Sequence, residues 1–220
     1  MSALALALLA AGVAAAPVAE SAPPPASEQL APAPDFAGEQ ASQEAYDLAQ
    51  WALASRDSRN LPFAIVDKRG ARVFVFDRQG RLQGAAPALL GLGVGDDSVP
   101  GIGQRRLAAI PPHERTTPAG RFEAVLGHDL EQDILWIDYE SALSLHRVIA
   151  GTPKDRRAER LLSPSPEDNR ISYGCINVPA AFYDTVVVPA FTGTVGIVYI
   201  LPETKPLAAL FPGTAPRVAQ

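Results

Sequence analysis

The sequence predicts a mainly β domain with short inserted helices, and three observations predict it. From Leu61 to Leu201, short runs rich in β-branched and aromatic residues recur between turn residues. Helical spacing of apolar residues is confined to a few brief stretches. The 21 prolines of this 220-residue chain are densest near its two ends, so the folded body lies between them.

Residues 1–16 carry no charge, are almost entirely Ala, Leu and Val, and end in Ala14-Ala15-Ala16. They read as the apolar part of an export signal with a small-residue cleavage site, although the usual positive start is missing. The segment is shorter than the roughly twenty residues a spanning helix needs, so no stable membrane span is expected in the mature chain. Residues 17–40 hold six prolines among Ala, Ser and Glu and predict an extended, unpacked linker. Over residues 41–57, Ala45, Leu48, Ala49 and Ala52 recur at helical spacing and predict one short amphipathic helix.

The body spans 60–202. Phe63–Val66 and Arg72–Phe76 are strand runs joined by a Lys68-Arg69-Gly70 turn, which makes a hairpin. Asp77-Arg78-Gln79-Gly80 turns the chain into a strand through Leu82. Phe122–Leu126, Ile134–Tyr139 and Leu143–Ile149 continue the series, with Gly127-His128-Asp129 and Glu140-Ser141 as breaks. Thr194–Leu201 is almost wholly apolar, as a central strand should be. Helical pattern returns at Lys154–Leu162 and Ala180–Val188. Glycines at 91, 93, 95, 101 and 103 only superficially match a phosphate loop, because no helix pattern follows; Leu90–Pro118 predicts a mobile surface loop. Trp51 and Trp136 are expected in the core, and residues 203–220 predict a fraying tail.

Charge is mildly acidic, −5, with no basic blocks, which excludes nucleic acid and anionic membrane surfaces as expected partners. One cysteine and three scattered histidines make a poor zinc site, so neither metal nor other cofactor is expected.

That cysteine, Cys175, sits in Ser172-Tyr173-Gly174-Cys175-Ile176-Asn177. Exported chains normally use cysteines in pairs, so a lone one is buried, bridged to another molecule, or kept for its reactivity. Gly174 frees the backbone just before the sulfur, and Ser172 and Asn177 are small and polar, which favours a nucleophile presented at a turn. A thiol nucleophile needs a base, and His113, His128 and His146 are the only imidazoles. His146 lies in a strand run where Ser144 and His146 point to one face and Leu143 and Leu145 to the other, whereas His113 and His128 fall in expected loops.

In these residues the chain resembles the L,D-transpeptidase (YkuD) family. Its signature is a histidine, then a loop, then Ser/Thr-His-Gly-Cys-x-Asn/Arg; His146 and Ser172–Asn177 match these two elements. Thr117-Pro118-Ala119-Gly120-Arg121-Phe122 is similar to a Thr-Pro-x-Gly-x-Phe run that precedes a strand in the family, and Ile65–Gly80 to its first hairpin. Two departures stand out. Tyr173 replaces the motif histidine, and His146 and Cys175 are 29 positions apart, longer than the family norm, with Arg147 where a glycine usually follows. The extra residues Gly151–Asn169 are expected to form a lid or side helix.

The resemblance implies a mixed, sandwich-like β-sheet domain and a periplasmic or cell-envelope location. It implies peptidoglycan stem peptides as substrate, with Cys175 as nucleophile and His146 as base. Gly174 and Cys175 N–H groups would be oxyanion donors, with Ser172 and Tyr173 in support. Asn177, Arg147 and Arg170 are candidate substrate contacts, and a monomer is expected. The acceptor is left open: another stem peptide, a lipoprotein lysine, a D-amino acid, or water, which would make a carboxypeptidase or amidase. The rival reading is a non-catalytic peptidoglycan-binding module. A thiol redox protein is disfavoured, since no second cysteine exists to resolve a disulfide.

Overall fold

The computed structural model describes residues 33–129 and 132–214; the signal-like segment, most of the expected linker and residues 215–220 lie outside them. Helix α1, Gln43–Ala54, starts where the Ser42 hydroxyl accepts the Ala45 N–H at 3.1 Å, a side-chain N-cap. Its buried face, Ala45, Leu48, Ala49, Ala52 and Leu53, is the stripe expected from spacing. The stripe packs with strands β1 (Phe63–Asp67) and β2 (Arg72–Phe76). All five residues of β1 are buried because both faces are covered: Phe63 and Ile65 lie on the α1 side, Ala64 and Val66 on the inner side.

The remaining strands are β3 (Leu82–Pro87), β4 (Leu90–Gly91), β5 (Gly120–Asp129), β6 (Gln132–Asp138), β7 (Leu143–Arg147), β8 (Arg170–Ser172), β9 (Ile176–Val178) and β10 (Gly196–Ile200). The large sheet runs β3-β2-β1-β10-β5-β6-β7-β9, and β4 pairs with β8 beside it. Pairs β1–β10, β7–β9 and β4–β8 are parallel and the rest antiparallel. As its apolar run predicted, β10 is central. One chain run, 82–91, leaves β2 and meets the other edge: Leu89 exchanges both backbone hydrogen bonds with Asn177, at 2.8 and 2.9 Å. The sheet is thereby nearly closed into a barrel, so few edge groups are left unpaired.

Inner residues such as Val73, Val75, Leu135, Leu145 and Val198 fill the barrel with Tyr183, Val187 and Phe191. Those last three come from one continuous helical run, α3 (Ala180–Phe182), a π-turn (Tyr183–Val187) and α4 (Val188–Phe191). Pro189 lacks an N–H and its ring crowds the carbonyl four residues back; widening to a π-turn relieves both.

Five expectations are corrected. Strand β5 runs through Gly127-His128-Asp129, so His128 is on a strand paired with Asp133 rather than in a loop. Phe36, expected in an unpacked linker, is buried edge-on against Phe74 and Phe76, with centroids at 5.4 and 5.0 Å. Glu203 to Thr214, expected to fray, forms α5 (Leu207–Leu210) and buries Phe211 beside Trp51 and Tyr199. Trp51 and Trp136, expected in the core, are each only half-buried.

The fifth concerns Leu90–Pro118, expected as a mobile loop: it opens with β4, and residues 92–118 then hold three single 3-10 turns packed against the barrel. Gly103 lies so close to the Glu140 carbonyl that a Cβ would sit 2.4 Å from it. The root of this segment is pinned by Lys68, a fully buried residue whose Nζ donates to Gly95 O (2.7 Å), Asp96 Oδ1 (2.8 Å) and Thr117 O (3.0 Å). Glu203 lies 3.5 Å from the same ammonium and is paired with Arg170. Asp96 also accepts the backbone N–H groups of Glu203, Thr204 and Lys205. Burial pushes the Lys68 pKa down, against its carboxylate partners. Burial would raise that of Asp96, but the bonds from Lys68, Thr204 and the backbone outweigh it and hold Asp96 below the usual carboxylate range.

Candidate active site

Cys175 follows a two-residue turn between β8 and β9, and each link of that turn is stapled. Gly174 has φ +136°, and a Cβ there would stand 2.8 Å from the Thr116 carbonyl, so glycine is required on both counts. The Ser172 hydroxyl accepts the Gly174 N–H at 3.1 Å and donates to the Cys175 carbonyl at 2.6 Å. Thr117 Oγ1 donates to the Gly174 carbonyl at 2.7 Å and accepts the Gly91 N–H at 2.9 Å. Because the peptide is trans, fixing the Gly174 carbonyl toward Thr117 aims the Cys175 N–H the opposite way. The Gly174 N–H, expected as an oxyanion donor, is instead committed to Ser172.

Strand β7 brings the partners. Its parallel register with β9 sets His146 opposite Asn177 and Leu145 opposite Ile176, which leaves Ser144 beside Cys175. Leu143 and Leu145 enter the barrel core while Ser144 and His146 face the other way, as alternation predicted. Ser144 Oγ stands 3.5 Å from the sulfur, and the sulfur 3.5 Å from the Ala142 carbonyl. His146 Nδ1 is 2.7 Å from the Arg147 carbonyl; a carbonyl only accepts, so Nδ1 carries the proton and Nε2 is left as the base. Burial alone would raise the Cys175 pKa, but the hydrogen bond and charge of His146, with Ser144 donors, lower it. Burial alone would lower the His146 pKa, but the facing thiolate and the Arg147 carbonyl raise it. A half-buried thiol and imidazole that favour each other's charged form are the ingredients of a cysteine nucleophile with its base.

The sulfur lies at the foot of a cleft of about 80 Å³, room for only a few waters. Ile102, Arg105, Leu107 and Glu114 of the 92–118 segment form one wall, Ala142 and Tyr173 another. Arg105 and Glu114 form an ion pair there. The guanidinium of Arg115 stacks on the Tyr173 ring, 4.1 Å from its centroid, tying the segment to the cysteine turn.

Not every expected residue comes to the cleft. Arg147 follows His146, so it points to the opposite face of β7; it pairs with Asp133 at 2.7 Å, pairs with Asp184, and lies over the Tyr183 ring. Arg170 is taken up by Glu203 and by the Lys68 carbonyl at 3.0 Å. Asn177 is buried, its amide nitrogen 3.2 Å from the Cys175 carbonyl and 3.5 Å from His146 Nε2, its oxygen accepting from Arg157 at 3.1 Å. These three are braces in the fold rather than groups turned to a substrate. His113 lies in the turn Pro112–Glu114 and does not line the cleft. The excess residues after β7 do form a side helix, α2 (Arg157–Leu161). Sequence reasoning missed Lys68, the contact of Ser144 with sulfur, and the roles of Thr117 and Arg157. Thr117 had a signal in the Thr-Pro-Ala-Gly-Arg-Phe run, and Ser144 in its place on the His146 face of the strand; Lys68 and Arg157 had none.

Among the described residues no cluster of potential metal ligands occurs, and no helix is long and apolar enough to cross a membrane. No family model and no curated protein matches the sequence. Solved structures similar to the chain include an L,D-transpeptidase from Xylanimonas cellulosilytica, at 13% identity and TM-score 0.41, covering 64% of this chain and 60% of that one. The helical cell shape determining protein Pgp2 from Campylobacter jejuni aligns at 12% identity and TM-score 0.44, covering 66% and 49%. The catalytic domain of an E. faecium L,D-transpeptidase aligns at 14% identity and TM-score 0.36, covering 64% and 96%. The chain thus spans about half of the Pgp2 structure and 60% of the Xylanimonas one. Similarity at that distance leaves the chemistry to be read from Cys175, His146 and their neighbours.

Proposed function

We propose that this chain is an exported cysteine acyltransferase of the L,D-transpeptidase type, acting on peptidoglycan stem peptides in the cell envelope. One observation carries the reading: the Cys175 thiol lines a cleft, with Ser144 Oγ 3.5 Å from the sulfur and the His146 imidazole of β7 lowering its pKa. His146 Nε2 takes the thiol proton as sulfur attacks the carbonyl after the third residue of a stem tetrapeptide. The Cys175 N–H, aimed by Thr117, supports the developing oxyanion. The carbon–nitrogen bond then breaks, the imidazolium returns its proton to the departing D-alanine amine, and a thioester remains on Cys175. An acceptor amine attacks that thioester and releases the thiol; water in its place makes the enzyme an L,D-carboxypeptidase or amidase.

The test is intact-protein mass after incubation with a carbapenem, beside Cys175→Ala. One adduct per chain in the parent and none in the variant is expected. An absent adduct, with Cys175 also inert to iodoacetamide, would overturn the reading in favour of a binding module that kept the fold.

A further inference from the structure

We infer that Arg157, supplied by the insert between β7 and β8, is a positioning residue that fixes which end of the Asn177 amide faces His146. The inference rests on the reading of Cys175 and His146 as a reactive pair. An amide offers a donor at one end and an acceptor at the other, whereas a guanidinium only donates. Arg157 Nη1 donates to Asn177 Oδ1 at 3.1 Å, so the oxygen is held toward α2. The nitrogen end is thereby turned to the Cys175 carbonyl, at 3.2 Å, and to His146 Nε2, at 3.5 Å. That carbonyl also accepts from Ser172 at 2.6 Å, and its second lone pair holds the amide nitrogen in the same sense as Arg157 holds the oxygen.

The insert is built around this contact. The Arg157 side chain is only 15% exposed, and Gly151, at φ +65°, lets the backbone close down on it. A Cβ on Gly151 would stand 2.9 Å from Arg157 Nε and 2.4 Å from the Asp155 carboxylate. Asp155, at 3.9 Å, is too far to hydrogen-bond the guanidinium.

The consequence falls on the protonation of His146. The groups that bear on it are the Cys175 thiol from the turn, the Arg157 guanidinium from α2, the Asn177 amide from β9 and the Arg147 carbonyl from β7 itself. A donor amide and a guanidinium both oppose a proton on Nε2, so the orientation keeps His146 available as a base against the pull of the thiolate. Without Arg157 the Cys175 carbonyl is the remaining restraint on the amide, which then turns over in part, and its oxygen stabilises the imidazolium.

The experiment is the titration of His146 by ring-proton NMR in the full chain, in parallel with the pH profile of Cys175 alkylation by iodoacetamide. Arg157→Gln, which lets the amide choose either orientation, is expected to raise the pH at which His146 loses its proton by about half a unit. Arg157→Lys, also a pure donor with a charge, is expected to restore the parent titration. Asn177→Ala removes the amide and should shift His146 in the same direction. In that background Arg157→Gln should add less than half of its own effect. An unmoved titration in Arg157→Gln, or a full-sized shift in the Asn177→Ala background, would overturn the inference, the latter because it assigns the effect to charge alone. Near-UV circular dichroism checks each variant, and Asn177→Ala against Arg157→Lys decides if Arg157→Gln does not fold. Absence of a carbapenem adduct in the parent sinks the transpeptidase reading and leaves this titration fully informative.

Discussion

Two polar clusters lie on either side of Thr117, and they are built on opposite terms. Around Lys68 every strong group is matched: the ammonium donates three hydrogen bonds, Asp96 accepts three backbone N–H groups, and Arg170 pairs with Glu203, with Lys68 and Asp96 themselves sealed from solvent. Around Cys175 the backbone is stapled but the sulfur itself has two neutral contacts, each at the 3.5 Å ordinary for sulfur, and the thiol is half-buried beside a cleft. A saturated buried cluster holds backbone segments together and has nothing left to react with. An unsaturated one keeps a lone pair and a proton available, at the expense of local stability. Thr117 joins them, its carbonyl bound to Lys68 and its hydroxyl to the Gly174 carbonyl. The structural cluster therefore anchors the reactive one.

The contrast is sharpest in Cys175→Ala, which should abolish acylation while changing unfolding free energy by under about 1 kcal/mol in urea titrations. Lys68→Met should do the reverse first: stranding Asp96 and Glu203 costs about 3–5 kcal/mol, read from the same titration. Thr117→Val breaks the join. It leaves the Gly91 N–H and Gly174 carbonyl without their partner, each worth about 1–3 kcal/mol. Acylation should slow by about a hundredfold as the Cys175 N–H loses its aim, with Thr117→Ser restoring most of it.

Acid offers a gentler break. Asp96 has a depressed folded-state pKa, so its contribution is fully present above the unfolded value of about 4 and is lost as pH falls below it. Urea midpoints should drop through that window and much less steeply in Asp96→Asn, which starts lower. The smallest effect is expected at Tyr173→Ala, where loss of the ring under Arg115 costs about 0.5–1 kcal/mol. Tyr173→Phe should match the parent.

Strand runs, the hairpin, the central position of β10 and the α1 stripe were legible because burial follows local periodicity. The cysteine turn was legible because Gly174 and Ser172 act on neighbours two or three residues away. The short strands β4, β8 and β9 were not legible: at two or three residues they are too brief for a period to show, and their partners lie far along the chain. The same distance hid the site's second layer. Nothing near Arg157 in sequence points to Asn177, and nothing near Lys68 points to Asp96, Thr117 or Glu203.

Sequence alone therefore determined a mainly β domain, a cysteine held at a glycine turn, and a histidine on the strand face opposite the core. Each follows from forces acting within one turn or one strand. Only the tertiary structure decided that Arg147 and Arg170 are spent in ion pairs and that residues 92–118 pack over the cleft. Those outcomes depend on which distant donors and acceptors the parallel register of β7 and β9 and the closure at Leu89 bring within 3 Å. Hydrogen bonds saturate pairwise in space, and the order of residues along the chain does not reveal the pairs.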